Sequence, residues 1–354
     1  MNQTQSRVFS ALVSGTAATL LFGAMGSAAL AQQSGAEQPT RDSIIETADG
    51  FETLRTLIVA QDGEVLIEEG FDGGNPTTPT NIKSASKSVV SALVGIAIDR
   101  GLLEGLDQPI APLLADQLPD DPDPRLEEIT IGHLLSMQAG LERTSGGNYG
   151  SWIASSNWVR DALSRPFVDE PGGRMLYSTG STHLLSAILT EVGGADTQEL
   201  ANEWLGMGGA FRITDWERDP QGIPLGGNQV AVSPRSLLAF GELYRNGGEH
   251  EGERVVSAEW IEESWRPRTS SVFSGEAYGL SWFITEMDGY DCYYAWGYGG
   301  QMLYVLPELD LTVVITSDPD SPSARNGYQD ALNAFVADEI VPFVADDEQQ
   351  ERES

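Results

Sequence analysis

The sequence predicts an α+β fold: an antiparallel sheet built from strands near both ends of the chain, flanked by helices, with a helical lobe inserted between them. Three observations carry this. A strand–turn–strand pattern occupies residues 54–69, helices and proline-interrupted loops fill 102–230, and strands followed by a closing helix return after Tyr278. Strands from both termini that share one sheet account for that order.

Residues 1–31 read as an export signal. Arg7 gives a short positive start, residues 8–31 carry no charge, the stretch includes Leu20, Leu21 and Phe22, and Ala29-Leu30-Ala31 is a small-x-small cleavage site. An uncleaved anchor is the competing reading, because the uncharged run is long enough to span a bilayer. Its many Gly, Ala, Ser and Thr residues and the clean cleavage site favour removal. The expected product is periplasmic or secreted, with no membrane attachment after cleavage after Ala31.

Residues 32–42 are expected to be a flexible lead-in and 43–345 one two-lobed domain. Residues 54–60, a Gln61-Asp62-Gly63 turn and residues 64–69 form a hairpin signal. Residues 84–100 read as a helix: Val89, Val90, Leu93, Val94 and Ala97 keep helical spacing, and Gly101 sits where a C-terminal glycine belongs. The lobe at about 105–228 is broken by Pro119, Pro122 and Pro124 and by the glycine-rich 145–150. It contains a second helix at 182–192, ended by Gly193-Gly194. Ser233 and Pro234 open a third, which stops before Asn246. Strands are expected at 278–285, 302–306 and 311–316, then a helix at 331–343 and a solvated acidic tail at 346–354.

Composition excludes several functions. The 354 residues hold 20 Lys+Arg against 53 Asp+Glu, a formal net charge of −33. Such a chain repels polyanions, which argues against a nucleic-acid partner. A single cysteine, Cys292, excludes an intramolecular disulfide framework and a cysteine-cluster metal site, and His133, His183 and His250 are far apart in sequence. No metal and no cofactor are expected. There is no Gly-x-Ser-x-Gly elbow, no Gly-Lys-Ser/Thr phosphate loop and no Gly-x-Gly-x-x-Gly.

Lysine occurs only at Lys83 and Lys87; every other basic residue is arginine. Lys87 ends Ser84-Ala85-Ser86-Lys87. Three residues apart, Ser84 and Lys87 share one face of a helix. A serine hydroxyl is a poor nucleophile until a base removes its proton. A lysine amine serves as that base when burial lowers its pKa, which arginine cannot do. A solvated lysine at a helix start is the plainer reading of the same four residues. The rarity of lysine shifts the weight toward a base.

Four blocks together resemble the serine β-lactamase/penicillin-binding-protein superfamily, and within it the class C-related serine hydrolases: esterases, peptidases and the 6-aminohexanoate-dimer hydrolase type. The blocks are Ile82 to Ser88, Ile129 to Leu141, Pro171-Gly172 with Tyr177-Ser178-Thr179, and Gly297 to Gln301 with Tyr304 to Leu311. The resemblance implies a β-lactamase/transpeptidase-like fold and an acyl-enzyme. Ser84 would be the nucleophile, Lys87 the general base, and Tyr177 a general acid/base acidified by Lys87. The backbone N–H groups of Ser84 and Gln301 would form the oxyanion hole. Thr179, Trp296, Tyr298, Gly299 and Gly300 would contact a small ester, amide or peptide substrate. Two departures matter. Thr179 stands where the family commonly has Asn, and Tyr298-Gly299-Gly300 replaces Lys-Thr/Ser-Gly, whose lysine helps hold substrate carboxylates. Ester or amide hydrolysis is therefore expected ahead of β-lactamase or D-amino-acid peptidase activity. A non-catalytic ligand-binding relative is the alternative from another class.

The remaining singled-out residues read as structural: His133 as a packed or capping histidine, His183 as packing near Tyr177, Trp282, Tyr293 and Tyr294 as sheet aromatics, and Cys292 as a buried small hydrophobe. For the exported protein, intact-mass measurement is expected to give the mass of residues 32–354; a mass retaining 1–31 would establish an anchor instead.

Overall fold

The computed structural model describes residues 38–321 and 327–345. The expected leader at 1–31, the first part of the lead-in and the acidic tail at 346–354 lie outside these residues.

Alternation of apolar residues, with both faces covered, determines the sheet. β1 (Leu54–Gln61) and β2 (Glu64–Gly70) form the first hairpin. Asp62 and Gly63 turn it at φ 45° and 78°, the left-handed pair that a two-residue hairpin requires. The other strands are β3 (Thr269–Ser270), β4 (Ala277–Tyr278), β5 (Phe283–Met287), β6 (Tyr290–Gly297), β7 (Gln301–Leu306) and β8 (Leu311–Ser317). All pairings are antiparallel, in the order β2-β1-β8-β7-β6-β5-β4-β3. The first hairpin thus joins the last strand, as a sheet completed by both chain ends demands.

In β1 and β8, Leu57 lies opposite Ile315 and Ile58 opposite Val314. The first pair packs with Ile44 and Ala48 of α1 (Arg41–Asp49) and with Leu332 and Phe335 of the C-terminal helix. The second pair packs with Val89 and Leu93 of α2 (Ser86–Asp99) and with Phe240 of α4 (Pro234–Arg245). The inserted lobe carries α3 (Thr179–Gly193) against α2. With apolar cover on both sides, β8 is buried along its whole length, and burying each such aliphatic side chain is worth about 1.5–3 kcal/mol.

The expected hairpin, the helix opened by Ser233 and Pro234, and the strands at 302–306 and 311–316 are present with bounds shifted by a residue or so. Four elements differ from expectation. The region read as a flexible lead-in ends in α1, which Thr40 and Ser43 cap reciprocally. The helix expected from Ser84 begins with a 3₁₀ turn over Lys83–Ala85, and α2 itself starts at Ser86. The strand expected at 278–285 is interrupted: Leu280 donates its N–H to Ser264 O, and Ser281, at φ 65°, donates to Leu135 O, so the chain leaves the sheet to tie it to the lobe. β6 carries Tyr293 and Tyr294, expected as sheet aromatics, but is absent from the expected strands, although Asp288 and Gly289, both at positive φ, form its hairpin turn with β5. The closing helix runs from Tyr328, passes through a π turn over Val336–Ile340 and ends at residue 345.

Gly95 of α2 meets the ring of Trp260 on α5 (Ala258–Ser264), where an added Cβ would stand 2.4 Å from Trp260 Cγ. Gly95→Val is expected to lower stability by about 2 kcal/mol, since overpacking a rigid contact costs about 1–3 kcal/mol. Chemical denaturation checks this; unchanged stability would mean that the two helices separate freely.

Candidate active site

Ser84 sits in the 3₁₀ turn before α2, and Lys87 in the first turn of α2 points at it. Lys87 Nζ lies 3.1 Å from Ser84 Oγ, 2.6 Å from Gly227 O and 3.5 Å from Thr179 Oγ1. The side chain is buried, at 1% exposure. Burial alone pulls its amine down from an ordinary value of 10.5 to about 7. A neutral amine has two N–H groups and one lone pair. With the two hydrogens on Gly227 O and Thr179 Oγ1, the lone pair is left for the Ser84 hydroxyl, the arrangement of a base on its nucleophile.

Tyr177 is buried behind the same serine and hydrogen-bonds to it. Its ring centre is 5.2 Å from Lys87 Nζ. Burial pushes the phenol up to about 12, opposed by the Ser84 hydrogen bond. This differs from the expected acidified phenol: at neutral pH Tyr177 keeps its proton, and Lys87 is the group within titration range.

Thr179 opens α3. Its N–H donates to Ser145 Oγ at 2.8 Å, and the two hydroxyl oxygens are 3.0 Å apart. Thr144 anchors the same helix start, accepting from Gly180 N–H at 2.7 Å. The hydroxyl that replaces the family's usual amide thus faces the lysine.

The turn between β6 and β7 lies beside the 3₁₀ turn that carries Ser84. An added Cβ on Gly297 would sit 2.2 Å from Ile82 O, so only glycine lets these backbones pass. Gly299 and Gly300, at φ 88° and 90°, make the turn, and Gln301 begins β7 opposite Gly297. The Gln301 side chain turns away into the sheet, donating to Ser317 O at 2.8 Å and accepting from Ser317 N–H at 3.3 Å.

These elements surround a cleft of about 1050 Å³. Ser84, Tyr177, Thr179, Trp296 and Tyr298 line it, whereas Gly299, Gly300 and Gln301 are not among its lining residues. Sequence reading missed three contributors: the Gly227 carbonyl, Lys83 and Phe273. Lys83, at φ 50°, donates to Gln229 Oε1 at 3.1 Å. Phe273, half exposed, stands edge-on to Tyr177 and Trp296 with ring centres 5.3 and 5.8 Å away. His133 caps a short helix by accepting from Thr130 N–H at 3.3 Å, and Cys292 is buried.

A family model described as Beta-lactamase matches residues 51–338. A curated 6-aminohexanoate-dimer hydrolase of Paenarthrobacter ureafaciens is 25% identical over 300 residues, 77% of this chain and 74% of that protein. Among solved structures, an octameric penicillin-binding protein homologue from Pyrococcus abyssi superposes with a TM-score of 0.65 at 21% identity, covering 85% of this chain and 76% of its own. A family VIII carboxylesterase gives a TM-score of 0.67 at 16% identity, over 84% of this chain and 95% of its own.

The buried amine has a signature in stability. The unfolded chain keeps the Lys87 proton up to about 10.5, the folded chain only up to about 7. Between these values the unfolded state binds the extra proton, so stability rises with pH across that window, and below it the cost of Lys87 is complete. Lys87→Met removes that cost. Its stability advantage over the wild type is expected to shrink by a few kcal/mol between about pH 6 and about pH 10, at about 1.4 kcal/mol per pH unit of the window. Denaturation curves at the two pH values measure this; a pH-independent difference would contradict a buried, neutral Lys87.

Proposed function

Because the chain belongs to the β-lactamase family of serine hydrolases, we propose that it is an exported enzyme that cleaves an ester or amide through an acyl-enzyme on Ser84. The observation that carries this reading is the contact of a buried amine with the serine, Nζ to Oγ 3.1 Å, with Gly227 O and Thr179 Oγ1 as the other two partners of the amine.

In the proposed reaction Lys87 takes the Ser84 proton as Oγ attacks the carbonyl carbon. The backbone N–H groups of Ser84 and Gln301 hold the developing oxyanion, an effect worth several kcal/mol when such donors are preorganised. Tyr177, protonated at neutral pH, supplies a proton to the departing oxygen or nitrogen. Lys87 then passes the proton it took to the Tyr177 phenolate, which frees the amine; in the second half Lys87 deprotonates a water that attacks the acyl carbonyl and returns that proton to Ser84 Oγ as it leaves. Lys87 is the base in both halves, so activity should rise through its titration near neutrality.

The cleft supports ester or amide substrates over β-lactams. Tyr298-Gly299-Gly300 offers no cation where the family's third motif carries lysine. The mouth is walled by Val272, Phe273 and Tyr298, at 52%, 51% and 43% exposure, a contiguous apolar rim suited to an apolar acyl or leaving group.

Ser84→Ala is expected to abolish turnover of p-nitrophenyl acetate without loss of fold. A fluorophosphonate should add to the wild type at Ser84 and not to the variant. Tyr177→Phe should lower kcat by about 10²–10⁴, the usual worth of positioned proton transfer. Undiminished hydrolysis by Ser84→Ala, or a fluorophosphonate adduct elsewhere, would refute the assignment.

A further inference from the structure

His183 and Asp219 form a buried pair that the reaction above does not use. His183, on α3, is fully buried between Trp152 and Trp158, each with its ring centre 5.7 Å away. Its Nε2 is 3.2 Å from Asp219 Oδ2, and its Nδ1 is 3.4 Å from the backbone nitrogen of Gly226. A carboxylate only accepts and a backbone N–H only donates. Nε2 therefore carries the hydrogen and Nδ1 the lone pair, a single neutral tautomer set by its two neighbours. Asp219 is saturated from the other side: its Oδ1 accepts from Gln221 N–H and Ile223 N–H, both at 2.8 Å.

The residue that His183 holds directly precedes the one whose carbonyl Lys87 uses. Gly226 is held at both ends, its N–H by His183 and its carbonyl by the Thr182 hydroxyl at 3.0 Å. The next carbonyl, Gly227 O, is the shortest contact of Lys87 Nζ, at 2.6 Å. The segment lies flush on its supports. An added Cβ on Gly226 would stand 2.1 Å from Thr182 O, and one on Gly227 2.6 Å from Lys87 Cγ. A small displacement of Gly226 would therefore move the Gly227 carbonyl directly against or away from the amine.

We infer that His183 and Asp219 are a positioning pair for Lys87: they lock the chain at Gly226 so that the carbonyl of the next residue, Gly227, takes an amine hydrogen and leaves the lone pair aimed at Ser84. The inference rests on the reading of Lys87 as the base. The pair touches no substrate and acts only through the backbone. The ionisable group facing His183 is Asp219; the polar groups facing the amine are Ser84, Thr179 and Gly227, with the Tyr177 ring alongside.

Asp219→Asn tests it with little change in volume. The new amide must present its NH₂ either to Nε2–H or to the two backbone N–H groups of the loop, and relief at His183 requires the opposite tautomer. That places Nδ1–H against Gly226 N–H, two donors facing each other, and displaces the chain at Gly226. Because lysine occurs only at 83 and 87, ¹³Cε-lysine labelling gives two resonances, assigned with Lys83→Met, and the Lys87 titration is read without any substrate. In Asp219→Asn the proton affinity of Lys87 is expected to change by about threefold or more. With p-nitrophenyl acetate, kcat should fall by about tenfold, with KM within about twofold.

His183→Phe, which fills the slot between the tryptophans but offers Gly226 no acceptor, should do the same and serves if Asp219→Asn does not fold. His183→Asn, whose Oδ1 takes the place of Nδ1, should restore the Lys87 titration to within about twofold of wild type. An unchanged Lys87 titration and kcat in whichever of Asp219→Asn and His183→Phe folds would overturn the inference. So would equal losses in His183→Asn and His183→Phe, which would reduce the pair to packing. If the Lys87 titration moves while Ser84→Ala retains activity, the positioning stands and the acyl-enzyme reading falls.

Discussion

Burial of the Lys87 amine is the constraint from which the rest of the site follows. Taking an ammonium out of water is expensive enough that the group gives up its proton instead. A neutral amine still has hydrogens to satisfy, and in this pocket a backbone carbonyl and a threonine hydroxyl take them. The lone pair is then directed at Ser84 because that is the remaining polar atom within reach. Everything that holds those acceptors acts on Lys87: the helix start that presents Thr179, the glycine pair that brings its carbonyl close, and the loop that anchors the pair. The 3₁₀ turn matters for the same reason, since it presents the Ser84 hydroxyl to the amine one turn into α2.

The sheet contributes through close backbone approach. β6 passes the nucleophile turn at a distance that only Gly297 allows, and the same strand continues into the positive-φ turn before Gln301. On the opposite wall, Lys83 and Gln229 both adopt left-handed backbone, at φ 50° and 55°, and are hydrogen-bonded to each other. Strained residues of this kind persist only where their surroundings over-determine them. Here they flank the nucleophile, and the surroundings are the short sheet in which Thr80–Asn81 pairs with Val230–Val232. One small sheet therefore orients both the turn carrying Ser84 and the chain leaving Gly227.

What the sequence revealed of this site tracks the physical nature of each contact. Ser84 and Lys87 were legible because side chains three apart on a helical turn meet by geometry alone. Thr179 was named as a substrate contact; its hydroxyl faces the lysine, a distinction that needs the third dimension. Gly227 could not be found, because a backbone carbonyl is the same at every position. Asp219 lies near the end of the helical lobe in a segment without a motif, and its partner is 36 residues away. In the fold, periodic elements were read correctly where one pattern dominated. β6 was missed because its aromatic and acidic residues obscure the alternation, although Asp288-Gly289 was the available turn signal. The expected strand at 278–285 failed at Ser281, whose hydrogen bond to Leu135 is a tertiary demand that no local pattern carries.

The acidity of the chain and the chemistry of the base are in tension, and the structure resolves it by segregation. A carboxylate beside Lys87 would favour the ammonium form and restore the pKa that burial lowers. With 53 acidic residues in the sequence, keeping that pocket free of charge is a condition in its own right. Burial is the cause that accounts for the shift of Lys87. The buried acid behind the site, Asp219, has its charge committed to His183 and two backbone N–H groups. Asp320, 92% exposed at the cleft edge, lies 3.8 Å from Lys83 Nζ. Lys83 therefore offers a cation to the rim acid in front of Ser84, just as His183 offers a neutral donor to the acid behind it. Among the described residues, the lysine without a carboxylate partner is the one whose neutrality the proposed reaction requires.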